Sequence, residues 1–133
     1  MAPGPTTLVG LGLDLIELER FRQLYGADDV ELLLRCFSDD KLTSVGTGVD
    51  RLARLAARFA AKEATYKALG GPKGVAHTDI VVSSEPSGKP ILMLHGAAKI
   101  AAAEAGISSL LCSFSHSDTS VAAVVVALGA IPR

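Results

Sequence analysis

Tryptophan is absent from this chain of 133 residues, and Phe and Tyr bring the aromatic share to only 5%. With Ala, Leu, Val and Gly dominating the composition, a core of small aliphatic side chains is expected. Cysteine is almost as scarce. Cys36 and Cys112 lie far apart, form no C-x-x-C pair and belong to no Cys/His cluster that could hold zinc. They read as two buried or half-buried free thiols. A formal net charge of −1 supplies no global field that would select nucleic acid or an anionic membrane, so a bound polyanion must be held by a local cluster. No apolar run approaches the roughly 20 residues of a membrane span. The opening MAPGPTTL has no basic stretch ahead of its short apolar run, unlike a secretory leader. The expectation is a cytoplasmic protein without nucleic-acid or membrane partners. A Ser-His-Asp hydrolase is set aside because no G-x-S-x-G elbow occurs.

What is present fits one domain over residues 1–133, with 1–6 a loose tail. TLVGLGLDL, residues 7–15, reads as a strand: Leu8, Gly10, Gly12 and Asp14 lie on one face, Val9, Leu11, Leu13 and Leu15 on the other. Helices are expected from Glu17 to Tyr25, closed by Gly26, and from Asp29 to Cys36 with Asp28 as cap. Residues 38–50 read as a loop. The longest helix runs over about 51–69, capped by Asp50 and ended by Gly70, Gly71 and Pro72. Strands at 78–84 and 90–94 flank the turn EPSGK; a helix covers 95–105; and LLCSFSHS and SVAAVVVAL form two strands around a turn near Asp118 and Thr119. This is an α+β pattern, a mostly antiparallel sheet packed on one long helix plus shorter ones.

The long helix carries an anomaly. With Leu52 at zero and about 100° per residue, Leu55, Ala56, Phe59 and Tyr66 fall within roughly 60° of it, and Glu63 sits at about +20°. Arg51, Arg54, Arg58 and Thr65 take the other side. A carboxylate inside an apolar arc must be paired, protonated or bound to a cation. An i,i+4 ion pair with Lys67 would use only part of it, leaving oxygens for a second acid or a metal. Asp14 is either a candidate for that second acid or a strand-end acid that caps the helix at residue 17. It ends a strand face cleared by Gly10 and Gly12, where a ligand or a neighbouring element can approach closely. Two carboxylates with open positions suit Mg2+, which takes one or two carboxylates plus substrate phosphates.

Other polar groups gather in short segments. His116 ends a strand among Ser113, Ser115 and Ser117, where it can donate to a phosphate or move a proton. Lys62, Lys67 and Lys89 are anion contacts or solvated lysines, and Ser87-Gly88-Lys89-Pro90 is a sharp turn.

GLGLDLIELERF, RFAAKEATYKALG, SGKP and SFSHSD occur in this order, and together they resemble the holo-[acyl-carrier-protein] synthase family of small phosphopantetheinyl transferases over about residues 8–127. The resemblance implies the phosphopantetheinyl transferase fold. It also implies transfer of 4′-phosphopantetheine from coenzyme A to a serine of an apo-acyl carrier protein, as in lipid and fatty-acid synthesis, with release of adenosine 3′,5′-bisphosphate. Asp14 and Glu63 match the family's Mg2+-binding acids, and Lys67 matches a lysine near the coenzyme phosphates; with the acids it makes the catalytic set. Lys62, Gly88, Lys89, Pro90, Ser115 and His116 are the further positions implied around coenzyme A, and Arg20 and Arg22 those at the carrier protein. A homotrimer with sites between subunits is also implied. The serine proton goes either to Glu63 or to a metal-bound water, and Glu17 is placed to orient Arg20 by an i,i+3 pair.

One stretch departs from the family. Ala27-Asp28-Asp29-Val30-Glu31 is acidic where relatives place basic residues, although Arg20, Arg22 and Arg35 remain. This leaves open a polyketide or other specialised carrier. Two other readings compete with the enzyme: a coenzyme A or nucleotide-binding module without catalysis, and a purely structural trimer unit.

Overall fold

The computed structural model describes residues 5–26 and 51–131. The helix expected from Asp29 to Cys36, the loop at 38–50, the caps Asp28 and Asp50, the acidic stretch at 27–31 and Arg35 lie outside the described residues. In chain order come β1 (Thr6–Glu17), α1 (Leu18–Phe21), a π-helical turn (Arg22–Gly26), α2 (Arg51–Ala68), a 3-10 turn (His77–Asp79), β2 (Ile80–Ser84), β3 (Pro90–Leu94), α3 (Gly96–Glu104), β4 (Ile107–His116) and β5 (Ser120–Ala130). Among the described residues all pairing is antiparallel. One sheet has the order β1-β5-β4, and β2 and β3 form a second, two-stranded sheet. The fold is α+β as expected, with its strands divided between two sheets.

The chain is anchored earlier than expected. Thr6 already pairs with Ala130, and Ile131 N–H donates to the Pro5 carbonyl at 3.3 Å, so Pro5 and Thr6 are held at the sheet; residues 1–4 of the expected tail lie outside the described residues. β2 begins only at Ile80. Residues 77–79 turn instead, because the Asp79 carboxylate accepts the Ala76 N–H at 3.1 Å and the Asp79 carbonyl accepts the His95 N–H at 2.8 Å.

Strict alternation along β5 buries Val121, Ala123, Val125 and Ala127 against α2 and leaves the residues between them on the outer face. β1 follows with Gly10, Gly12, Asp14 and Ile16 inward and Leu11, Leu13 and Leu15 outward. A bulge between Leu8 and Gly10 moves Leu8 to the outer face, opposite Leu128, away from the glycine face on which simple alternation puts it. The glycines are cleared for a neighbouring element, not for a ligand. A Cβ at Gly10 would lie 2.1 Å from the Ala68 carbonyl oxygen, and one at Gly12 only 1.7 Å from that of Ala64.

That approach decides which side of α2 meets the core. Ala60, Ala61, Ala64, Thr65 and Ala68 are buried, and they lie away from the Leu52–Phe59–Tyr66 arc. Thr65, expected on the polar side, is fully enclosed and donates its hydroxyl to the Ala61 carbonyl at 2.7 Å. Only small side chains fit where helix and strand backbones nearly touch. The bulkier arc is buried only at its start, where Leu55 and Ala56 pack with Phe21 and Val121; farther along it becomes a rim, with Phe59, Glu63 and Tyr66 half-buried and Lys67 exposed. Glu63 therefore does not face the packed seam. Past the rim the helix closes through Gly70 and Gly71 at φ +88° and +68°, with Gly71 N–H on the Tyr66 carbonyl.

Candidate active site

Asp14 and Glu63 open onto one cavity of about 370 Å³, lined also by Glu17, Arg20, Phe21, Leu24 and Phe59. β1 supplies Asp14 from its inward face, α2 supplies Glu63 from its rim, and α1 with the π turn closes the side. The expected Glu63–Lys67 pair is not the one that forms. The Lys67 ammonium turns to β1 instead, donating to the Leu13 carbonyl at 2.9 Å and meeting Asp14 Oδ1 at 3.3 Å. Glu63 Oε1 lies 3.2 Å from Nε2 of His77. Each acid is thus held through one oxygen by a different neighbour. Glu63 also borders a second cavity of about 170 Å³ on its far side, with Lys62, Tyr66, Pro72, Gly74, Val75, Ala76, His77 and Ile80.

Lys62 occupies a place that its expected role at the coenzyme does not suggest. It is only 4% exposed, and its ammonium donates to the His77 carbonyl at 2.6 Å and to the Ile80 carbonyl. It ties α2 to the 3-10 turn from beneath. Arg20 borders the acid cavity, whereas Arg22 is exposed and paired with Glu19 at 2.8 Å. Glu19 of α1 and Arg22 of the π turn, not Glu17 and Arg20, form the i,i+3 pair seen here.

Ser115 and His116 stand two strands away from β1. Ser115 is opposite Ala122, which is opposite Leu15. Leu15 borders both the acid cavity and a shallower one of about 210 Å³ that holds Ser115 and His116. His116 also lines a wider cavity of about 650 Å³ with Arg54, Phe114 and Asp118. Gly88, Lys89 and Pro90 lie at the β2–β3 turn, with Gly88 at φ +89°, and border neither cavity that Glu63 lines. The chain therefore unites Asp14, Glu63, Lys67 and Arg20, and leaves Ser115, His116 and the 88–90 turn apart from them.

Two neighbours carried no sequence signal. His77 is a lone histidine in the non-periodic segment GVAHTD. Its ring stacks on Phe59, with centroids 5.1 Å apart and 20° between planes, and Phe59 in turn meets Phe21 at 5.7 Å. Burial pushes His77 below the ordinary histidine value; the Glu63 carboxylate opposes that shift and Lys62 adds to it. Arg54 fell on the charged side of the helix wheel, and only the fold brings it to the cavity of His116.

Residues 10–125 match the model of the 4′-phosphopantetheinyl transferase superfamily. The chain belongs to this superfamily. Holo-[acyl-carrier-protein] synthase of Streptomyces coelicolor is 41% identical over 123 residues, covering 92% of this chain and 99% of that one. The crystal structure of the Neisseria meningitidis holo-[acyl-carrier-protein] synthase superposes with a TM-score of 0.81 at 32% identity, over 91% of this chain and 98% of that one. The Helicobacter pylori synthase, solved in complex with coenzyme A, matches with a TM-score of 0.75 at 28% identity, over 88% and 98% of the two chains. As a phosphopantetheinyl transferase, this chain has its two acids on β1 and α2, which meet where Gly10 and Gly12 lie against the Ala68 and Ala64 carbonyls. Among the described residues no helix is long and apolar enough to cross a membrane.

Proposed function

We propose that this protein is a holo-[acyl-carrier-protein] synthase that moves 4′-phosphopantetheine from coenzyme A to a serine of an apo-acyl carrier protein. The observation that carries the reading is the pair Asp14 and Glu63, opening onto one cavity in a chain that matches the family from residue 10 to 125. In the reaction the serine oxygen bonds to the phosphopantetheine phosphorus, and the bond from that phosphorus to the bridging oxygen breaks. The serine proton goes to a base, and adenosine 3′,5′-bisphosphate departs. Such a step needs charge neutralisation and in-line placement more than covalent catalysis.

The donor set suits Mg2+. Two hard carboxylates face one cavity, each with an oxygen left over after its contact to Lys67 or His77. Among the described residues no third His, Cys, Asp or Glu completes a protein cage, which is consistent with an ion that keeps positions for substrate phosphates. Bound there, Mg2+ would neutralise the pyrophosphate and polarise the attacked phosphorus. Lys67, fixed by the Leu13 carbonyl, stands beside Asp14, where its charge offsets that of the leaving 5′-phosphate of the adenosine bisphosphate. The serine proton goes to Glu63, at the cavity wall, or to a metal-bound water. Arg20 on the same wall suits an acidic helix of the carrier protein, with Arg22 beside it on the outside. Lys62 supports this site from below by holding the 3-10 turn.

The assembly we propose is a homotrimer. Leu11, Leu13 and Leu15 are 59%, 61% and 67% exposed on the outer face of the three-stranded sheet, beside Leu111 at 50%. An apolar face of this kind calls for a cover. A second copy on it also explains why Ser115, His116 and the Gly88-Lys89-Pro90 turn lie apart from the acids. A site between subunits would bring one protomer's acids to another's coenzyme-binding residues. The location we assign is cytoplasmic, which suits a donor too highly charged to cross a bilayer unaided.

Intact-mass measurement of an apo-carrier with coenzyme A tests the function. The expected result is a phosphopantetheine mass gain only with Mg2+, cut by orders of magnitude in Glu63→Gln and Asp14→Asn. Unchanged labelling by these variants would refute the site. Sedimentation of wild type and Leu13→Asp tests the assembly: a trimer that Leu13→Asp dissociates is expected, and a wild-type monomer would overturn it.

A further inference from the structure

We propose that His77 is a positioning residue for Glu63, in an arrangement that α2 itself builds; the proposal rests on the reading of Glu63 as a metal ligand. A glutamate side chain is long and rotatable, and Glu63 stands on a half-exposed rim between two cavities. Without a restraint its carboxylate would divide its time between them, and the side-chain entropy would be lost again each time an ion bound. The shorter Asp14 is restrained by Lys67. For Glu63 the restraint is the 3.2 Å contact of Oε1 with His77 Nε2.

His77 is itself fixed on two sides. Its ring lies flat against Phe59, and its carbonyl accepts the Lys62 ammonium at 2.6 Å. Phe59, Lys62 and Glu63 stand at i, i+3 and i+4 of one helix, so a single helical face holds the ring, the backbone and the polar edge of the same histidine. The contact occupies Oε1 and leaves Oε2 for the cavity shared with Asp14. Outer partners that orient a ligand in this way typically change metal affinity by about 10–100-fold when removed.

Two substitutions separate positioning from packing. His77→Phe keeps a flat ring against Phe59 and the backbone carbonyl for Lys62, but has no polar edge. His77→Gln places an amide within reach of the same oxygen. Mn2+ binding to the enzyme without coenzyme or carrier, followed by the electron paramagnetic resonance of the free ion, is read beside melting temperature and the Mg2+ dependence of transfer. For His77→Phe we expect an unchanged melting temperature and Mn2+ affinity lower by about tenfold. Half-saturating Mg2+ should rise in proportion, with kcat at saturating Mg2+ nearly intact. His77→Gln should recover most of the affinity. Should His77→Phe fail to fold, His77→Met supplies the same loss of the polar edge.

Wild-type Mn2+ affinity in a folded variant lacking that edge overturns the proposal. So does an equal loss in His77→Gln and His77→Phe that follows melting temperature, because that is packing alone. A wild-type enzyme that binds no Mn2+ overturns the metal reading beneath it, an outcome distinct from normal wild-type binding that His77→Phe leaves unchanged.

Discussion

Adding one methyl group at Gly12 tests the link between fold and site most sharply. A Cβ there would sit 1.7 Å from the Ala64 carbonyl oxygen, 2.7 Å from its carbon and 3.0 Å from the Ala68 nitrogen. A relaxed carbon–oxygen contact is about 3.3 Å, so strand and helix must part by about 1.5 Å. All three atoms belong to the α2 backbone, so no rotamer change relieves the clash. The separation opens the seam of Ala60, Ala61, Ala64 and Ala68 against β5. Overpacking of this kind costs about 1–3 kcal/mol or more, and less than about 1 kcal/mol returns through the stiffer unfolded chain. A net loss of about 2 kcal/mol lowers the melting temperature of a chain this size by about 8 °C. Activity should fall further than stability, because Asp14 lies two residues along the same strand and a 1 Å misplacement can cost about 100-fold. Thermal melting at fixed protein concentration and intact-mass labelling of the carrier measure the two effects. Ala64→Gly in the same chain should not rescue Gly12→Ala, since the obstructing carbonyl stays and a helix glycine costs about 1 kcal/mol more. A Gly12→Ala protein that melts within about 2 °C of wild type and labels normally would refute the close-approach argument.

Two further outcomes follow from buried polar groups. Lys62→Met leaves the His77 and Ile80 carbonyls without the ammonium they share, which should cost about 3 kcal/mol; a urea midpoint equal to wild type would count against the anchoring role. Burial pushes the Cys112 thiol from 9.0 up to about 11. In a Cys36→Ser background, Cys112 should therefore resist a thiol reagent at pH 8 until the protein unfolds. The native thiol keeps a proton that the unfolded one releases, so its contribution is complete below pH 9 and is lost as pH rises toward about 11. Rapid labelling of native protein at pH 8 would contradict this.

The order of elements was legible because its signals are local. Alternation marks β1, β4 and β5, Gly70-Gly71-Pro72 stops α2, and EPSGK marks the β2–β3 turn. Asp14 and Glu63 stood out because each interrupts a pattern, one ending a glycine-cleared face and the other breaking an apolar arc. The helix wheel, which weights bulk, finds the packed Leu55 and Ala56 but misses the seam against Gly10 and Gly12, which admits only alanine and threonine. Leu8 was placed on the wrong face because a bulge breaks a period-two count that residue types alone do not reveal.

By itself, then, the chain determined its class and the order of its strands and long helix, and marked Asp14 and Glu63 as candidates, since each of these follows from residue type and near-neighbour spacing. The pairing of those acids was a matter for the tertiary structure. Lys67 reaches across to Asp14 rather than along its own helix to Glu63, and His77, far along the chain from β1 and in a non-periodic turn, takes Glu63 instead. Side-chain partners depend on backbone separation in space, and here that separation is set by two missing Cβ atoms where β1 meets α2.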